Sequence, residues 1–192
     1  ARGITSTAWY YTTALSGPHW KRELKDIAST AEKHGIKWAW NPGAGQIRAG
    51  LRSLAPFMPA CSVFNVNRDE ALELTGKRNN IKALLGALLA QGPERVIITD
   101  GANGAYYADA QCALHIAADL SVKPVEPTGA GDAFGSGFVA GLMLNGDVAY
   151  ALEAGLANSE SVIRAVGAHA GILRKDELAR AMEKHKHKLS YV

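Results

Sequence analysis

Residues 126–141, EPTGAGDAFGSGFVAG, gather the residue types that phosphoryl chemistry needs. Pro127 cannot sit in a helix interior, so a helix begins only after it. Gly129, Ala130 and Gly131 then lie at or just before the first turn. There the backbone N–H groups have no intrahelical partner, and the macrodipole adds about half a positive charge. Such a helix end attracts anions, and the two glycines carry no side chain to block an approaching oxyanion. Asp132 would repel a bound phosphate unless its task is to accept a proton from an incoming hydroxyl. An anion site beside a base is the arrangement that phosphoryl transfer to an alcohol requires. The same spacing also describes a plain Gly-rich turn whose acidic residue satisfies a helix start. Beyond Asp132, the residues Ala133, Gly137 and Gly141 recur every four positions. They predict a smooth ridge on a buried helix that lets another backbone pack close.

The elements that must position this stretch alternate along the chain. Residues 18–34 place Trp20, Leu24, Ile27, Ala28 and Ala31 at helical spacing, with Gly35 as a stop. IKWAW reads as a strand ended by the turn NPGAG at 41–45, and a second helix is expected over about 45–54. CSVF (61–64) reads as a short buried strand leading into a helix that stops at Gly76. NNIKALLGALLAQG is a strong helix, and RVIITDG the clearest strand. GAYYAD and CALHIAA read as an antiparallel strand pair. The segments 147–166 and 174–188 read as helices. This alternation predicts an α/β fold over 1–192, a doubly wound and mostly parallel sheet with helices on both faces. The polar turns at 41–45, 65–70, 99–104 and 126–132 follow predicted strands, where the ligand site of such a sheet lies.

Two nucleotide motifs fail on context. GSGFVA (135–140) fits G-x-G-x-x-A but lies inside a helical pattern rather than between a strand and a helix. LTGKR offers a Gly-Lys pair, but a P-loop needs Gly at Ala71 and Ser or Thr at Arg78.

EPTGAGDAFGSGF resembles the C-terminal signature of the ribokinase-like (PfkB) carbohydrate kinases, D-T-x-G-A-G-D-x-F-x-x-G-F. The resemblance implies that Gly129, Ala130 and Gly131 form an anion hole and that Asp132 is the catalytic base. It implies a kinase that uses ATP and Mg2+ on a sugar or nucleoside. Glu126 and Pro127 replace the usual Asp-Thr. The first of these positions lends backbone to a monovalent-cation site in the family, so activation by K+ is open here. NRDE (67–70) is similar to the family's N-x-x-E, which implies that Asn67 and Glu70 serve phosphate and magnesium, Glu70 through water. A capped helix start is the alternative. TDGANG (99–104) is similar to T-x-G-x-x-G, implying that Thr99, Gly101 and Gly104 line the ATP phosphates and ribose. A tight glycine turn explains it as well. LANSESVIRAVGA (156–168) is similar to the segment that covers the adenine. Asn158 is then a candidate for the base, and Gly167 and Ala168 lie near the cation loop. NPG (41–43) has a counterpart near the phosphates, or is a plain turn.

These matches run from about residue 37 to the end. The family's G-G motif, sugar-binding aspartates and β lid have no counterpart in the 192 residues. The acceptor-binding half is therefore expected to be missing, leaving an ATP-binding portion of the domain. The surface so exposed implies a homo-oligomer or a complementary N-terminal chain. Trp9, Tyr10, Tyr11, Trp38 and Trp40 read as core, or else as such a contact.

The remaining composition excludes other classes. A net charge of +3 without a basic stripe argues against nucleic acid. No apolar run approaches the roughly 18 residues of a membrane span. No signal peptide is visible at 1–16. Cys61 and Cys112 make no disulfide framework and suit the cytoplasm. Both read as small buried residues, and His115 and His169 as structural or surface residues. His185 and His187 read as a solvated tail.

Overall fold

The computed structural model describes residues 4–76, 80–167, 170–184 and 187–192. Seven strands hydrogen-bond into one mixed sheet: β1 (Trp9–Thr12), β2 (Lys37–Trp40), β3 (Val63–Asn67), β4 (Val96–Thr99), β5 (Ala105–Ala108), β6 (Ala113–Ile116) and β7 (Leu189–Tyr191), in that order. The first three run parallel and β6 pairs β7 antiparallel, so the α/β class expected from the alternation holds. By its internal contacts the chain forms two compact units, Ala1–Ile98 with Tyr107–Ala113, and Thr99–Tyr106 with Leu114–Val192. Among the described residues no helix is long and apolar enough to cross a membrane.

In the first unit, α1 (Trp20–His34) presents Leu24 and Ala31 to the core and ends at Gly35. Trp38 and Trp40 on β2 are fully buried and stacked, with centroids 5.4 Å apart. Phe64 meets Trp40 edge-on, and Thr12 accepts the Trp38 indole N–H at 2.8 Å. Core burial thus accounts for these two tryptophans. Trp9, Tyr10 and Tyr11 are half-buried on β1, an element that the sequence reading leaves out, in register with Lys37, Trp38 and Ala39. The helix expected over 45–54 is two short ones, α2 (Ala44–Arg48) and α3 (Leu51–Leu54), separated where Gly50 takes φ +78°. The strand expected at 61–64 lies at Val63–Asn67. Two further helices follow it, α4 (Arg68–Thr75) and α5 (Ile81–Leu89).

The second unit is built on α6 (Ala130–Leu144) and α7 (Val148–Val162), followed by α8 (Lys175–Lys184). The small-residue ridge of α6 lies against α7 as its spacing predicts. A Cβ on Gly137 would come within 2.9 Å of the Ala154 carbonyl and 3.1 Å of Gly155 Cα. One on Gly141 would come within 2.6 Å of Ala151 Cα. The glycines therefore cost helix propensity but permit backbone-to-backbone packing. Among the described residues the last helix spans Lys175–Lys184, residues 187–188 are not helical, and Leu189–Tyr191 form a strand beyond them. His185 and His169 lie outside the described residues.

Candidate active site

The G-A-G-D turn sits at the start of α6. Gly129 is the N-cap with φ +84°, a left-handed conformation that L side chains rarely adopt. The Ala130 N–H donates to the Pro127 carbonyl at 3.1 Å, and Ala133 N–H to the Gly129 carbonyl at 2.8 Å, which closes the first turn. Gly131 and Asp132 fill the second and third helical positions, at the positive end of the helix dipole. Asp132 is exposed, and a Cβ on Gly131 would meet nothing within 4 Å. A negatively charged group therefore has room to approach the positive end of α6, with a carboxylate beside it.

A mostly apolar cavity of about 410 Å³ opens beside this turn, a size typical of small-molecule sites. Ala130 of α6 reaches its wall, with Gly101 and Ala102 from the turn after β4, Leu120 from the segment 117–129, and Glu160 and Ile163 from α7. The turn after β4 is tightly determined. Asp100 N–H donates to the Gly104 carbonyl at 2.8 Å, and Gly104 N–H to that of Gly101 at 3.0 Å. Gly104 has φ +86°, and a Cβ there would collide with the Ile116 carbonyl. Only glycine meets both demands. His115 Nε2 lies 2.7 Å from the Asn103 carbonyl and its ring stacks on Tyr106, so this histidine braces the turn. Thr99 and Gly104 stand at the two ends of the turn and Gly101 lines the cavity.

Asn158 lies on α7. It is buried, donates from Nδ2 to the Ala133 carbonyl at 2.8 Å, and accepts the Leu173 N–H at 2.9 Å. The cavity wall is formed by its neighbours Ser159 and Glu160.

Glu126 and Gly167 do come together. The Gly167 N–H donates to Glu126 Oε2 at 2.8 Å. That bond, followed by the Thr128 side chain, holds the Glu126 carboxyl below the usual carboxylate range. Here the Glu126 side chain makes the contact, where the resemblance implies backbone. Ala168 lies outside the described residues.

In the first unit, Asn67 is the N-cap of α4 and forms a reciprocal box with Glu70. Asn67 Oδ1 accepts Glu70 N–H at 2.9 Å, and Glu70 Oε2 accepts Asn67 N–H at 2.8 Å. The N-x-x-E spacing therefore has a structural occupation of its own. The NPG turn likewise starts α2, with Gly43 N–H donating to Gln46 Oε1 at 2.8 Å. Cys61 is buried, which pushes its thiol up, as expected of a small core residue. Cys112 is half-buried.

Two residues of the second unit have roles that local sequence does not show. Glu160 is buried on α7 at 4% exposure; its carboxylate accepts the Asp119 N–H at 2.8 Å and lies 3.1 Å from His187 Nε2. His187, read as part of a solvated tail, has a side chain only 2% exposed. An acidic residue within the apolar pattern of α7 is the one sign that could have pointed to Glu160.

The chain belongs to the pfkB family of carbohydrate kinases, whose model matches residues 5–175 and so begins well before residue 37. It is 32% identical over 127 residues to a deoxyribokinase of Salmonella typhi, covering 64% of this chain and 40% of that protein. It is 27% identical over 176 residues to a ribokinase of Haemophilus influenzae, covering 89% of this chain and 53% of that one. A solved Escherichia coli protein described as a ribokinase II, in complex with ATP and Mg2+, superposes with a TM-score of 0.82 at 21% identity. That alignment covers 96% of this chain and 61% of the solved one. The chain thus spans about half the length of the curated relatives that it matches.

Proposed function

We propose that this chain is the ATP-binding portion of a kinase that transfers the γ-phosphate to a hydroxymethyl group of a sugar or nucleoside. The observation that carries this reading is Asp132, exposed in the first turn of α6 beside the open side of Gly131. In the reaction, Asp132 accepts the proton of the acceptor hydroxyl as its oxygen bonds to phosphorus and ADP departs. The N-terminal end of α6 at Gly129, Ala130 and Gly131 stabilises the charge on the transferring phosphoryl oxygens. A preorganised dipole needs no rearrangement at that moment.

The apolar cavity fits a nucleobase, with Thr99, Gly101 and Gly104 assigned to ribose and phosphates. Asn158 acts on this site by holding α7 against α6 rather than by touching the base. In the first unit, Asn67 and Glu70 are the residues assigned to phosphate and magnesium, Glu70 through water. Magnesium, when bound, neutralises charge on the phosphate oxygens. The side chain of Glu126 and the backbone of Gly167 are assigned to the neighbourhood of a monovalent cation. The relatives named deoxyribokinase and ribokinase support a sugar acceptor, and the neighbour solved with ATP and Mg2+ supports the donor. ATP as donor points to the cytoplasm.

The coverage of 40% and 53% of those relatives favours a second reading, a nucleotide-binding module that needs further sequence or a partner chain for turnover. An ATP-coupled assay over pentoses, hexoses and nucleosides separates the two. Acceptor-dependent ADP release supports the kinase. ADP raising the melting temperature without turnover on any acceptor supports the module. No shift with ATP or ADP contradicts both.

A further inference from the structure

Glu160 joins two parts of the second unit. Its Oε1 accepts the Asp119 N–H at 2.8 Å and its Oε2 lies 3.1 Å from His187 Nε2. An ionised Glu160 offers only acceptors, and the pair then forms with the His187 hydrogen on Nε2. The two side chains are 5% and 2% exposed. A buried carboxylate is costly unless its oxygens are satisfied, so both donors are needed where the residue stands.

Asp119 is at the apex of the segment that forms one wall of the cavity. Its own carboxylate accepts the Ser121 N–H at 2.8 Å and its carbonyl the Val122 N–H at 3.0 Å, so the apex is a rigid turn. Next to it Leu120 lines the cavity yet is 80% exposed, an apolar side chain with nothing over it. The same C-terminal residues brace the base of this wall. Ala117 N–H donates to the Lys188 carbonyl at 3.0 Å, and Ile116 is in register with Leu189. Residues 187–189 therefore grip the segment 117–120 twice, once through backbone and once through Glu160.

We infer that His187 and Glu160 are positioning residues that set nucleotide affinity by fixing the Asp119–Leu120 wall against α7. The inference rests on reading the cavity as the nucleotide site. His187→Ala removes the donor, and His187→Gln restores an amide N–H near the position of Nε2. ADP affinity and the amide exchange of residues 118–122 without nucleotide are measured in both. His187→Ala is expected to weaken ADP binding about tenfold or more, the worth of one charge-assisted hydrogen bond, and to speed exchange at 118–122 above that of α6 and α7. His187→Gln is expected to recover most of both effects. Where the alanine variant does not fold, His187→Leu keeps the volume without the donor and is expected to behave like it. Unchanged exchange at 118–122, or an equal rise throughout the unit, overturns the inference. ADP affinity unaltered while 118–122 loosens overturns it too. Wild-type protein that binds no ADP overturns the nucleotide reading itself and the affinity claim with it, while the exchange data still report whether His187 braces the wall.

Discussion

Asn158 donates to the Ala133 carbonyl across 2.8 Å and so ties the middle of α7 to the turn that carries Asp132. Its other side-chain atom accepts the Leu173 N–H at 2.9 Å, which fixes the chain after α7 to the same point. Removing the side chain takes a donor from the Ala133 carbonyl and an acceptor from the half-buried Leu173 N–H. Asn158→Ala is expected to lower stability by about 3 kcal/mol, read from the midpoint of denaturant unfolding. Asn158→Asp is expected to cost as much, because a carboxylate cannot donate to the Ala133 carbonyl. A cost below about 1 kcal/mol for both contradicts this role.

Gly131 and Gly137 belong to one helix but answer to different demands. Gly137→Ala puts a Cβ 2.9 Å from the Ala154 carbonyl and 3.0 Å from Asn158 Cβ, and is expected to destabilise by about 1–3 kcal/mol. Gly131→Ala meets no atom within 4 Å and gains about 0.5–1 kcal/mol of helix propensity. Its fold is therefore expected to be at least as stable as wild type, while its methyl group would stand where the proposed reaction brings the phosphoryl group. Turnover is expected to fall about tenfold or more with an unchanged or raised melting temperature.

The Glu126 carboxylate has a built-in pH dependence. Its folded-state pKa lies below the ordinary 4.5 because the Gly167 N–H, then the Thr128 side chain, bind the charged form. A depressed carboxylate contributes its link above the unfolded value and loses it as pH falls through the folded one. The Gly167 amide resonance is expected to be unperturbed at neutral pH and to titrate with a midpoint below 4.5. Glu126→Gln is expected to abolish that titration.

The two cysteines are expected to differ toward a thiol reagent. Cys61 is 1% exposed and burial pushes its thiol well up, so it reacts only after unfolding. Cys112 is half-buried and is expected to react first, slowly, in the native protein. Rapid modification of both in the native state contradicts the burial of Cys61.

Local rules made most of the helices and the strand Val96–Thr99 legible, because caps, stops and apolar spacing act within a few residues. They carried the α6 ridge as well, since a four-residue repeat of small side chains has one packing use. They did not reveal β1 or β7, of 4 and 3 residues, which are strands because a neighbour pairs with them. Gly50 looked like part of one helix, yet its φ of +78° ends the turn there. The G-A-G-D turn was readable because its donors and its aspartate are adjacent in sequence. The contacts of Asn158, Glu160 and His187 were not, because their partners lie 25, 41 and 27 residues away and only the fold brings them together.

The central claim is that Asp132 removes a proton while the start of α6 holds the phosphoryl group. Comparing wild type and Asp132→Asn for both acceptor-dependent turnover and ADP affinity tests it most directly. Asp132→Asn is expected to lose about a hundredfold or more in kcat while its ADP affinity stays within about threefold of wild type. Turnover in Asp132→Asn equal to that of wild type contradicts it.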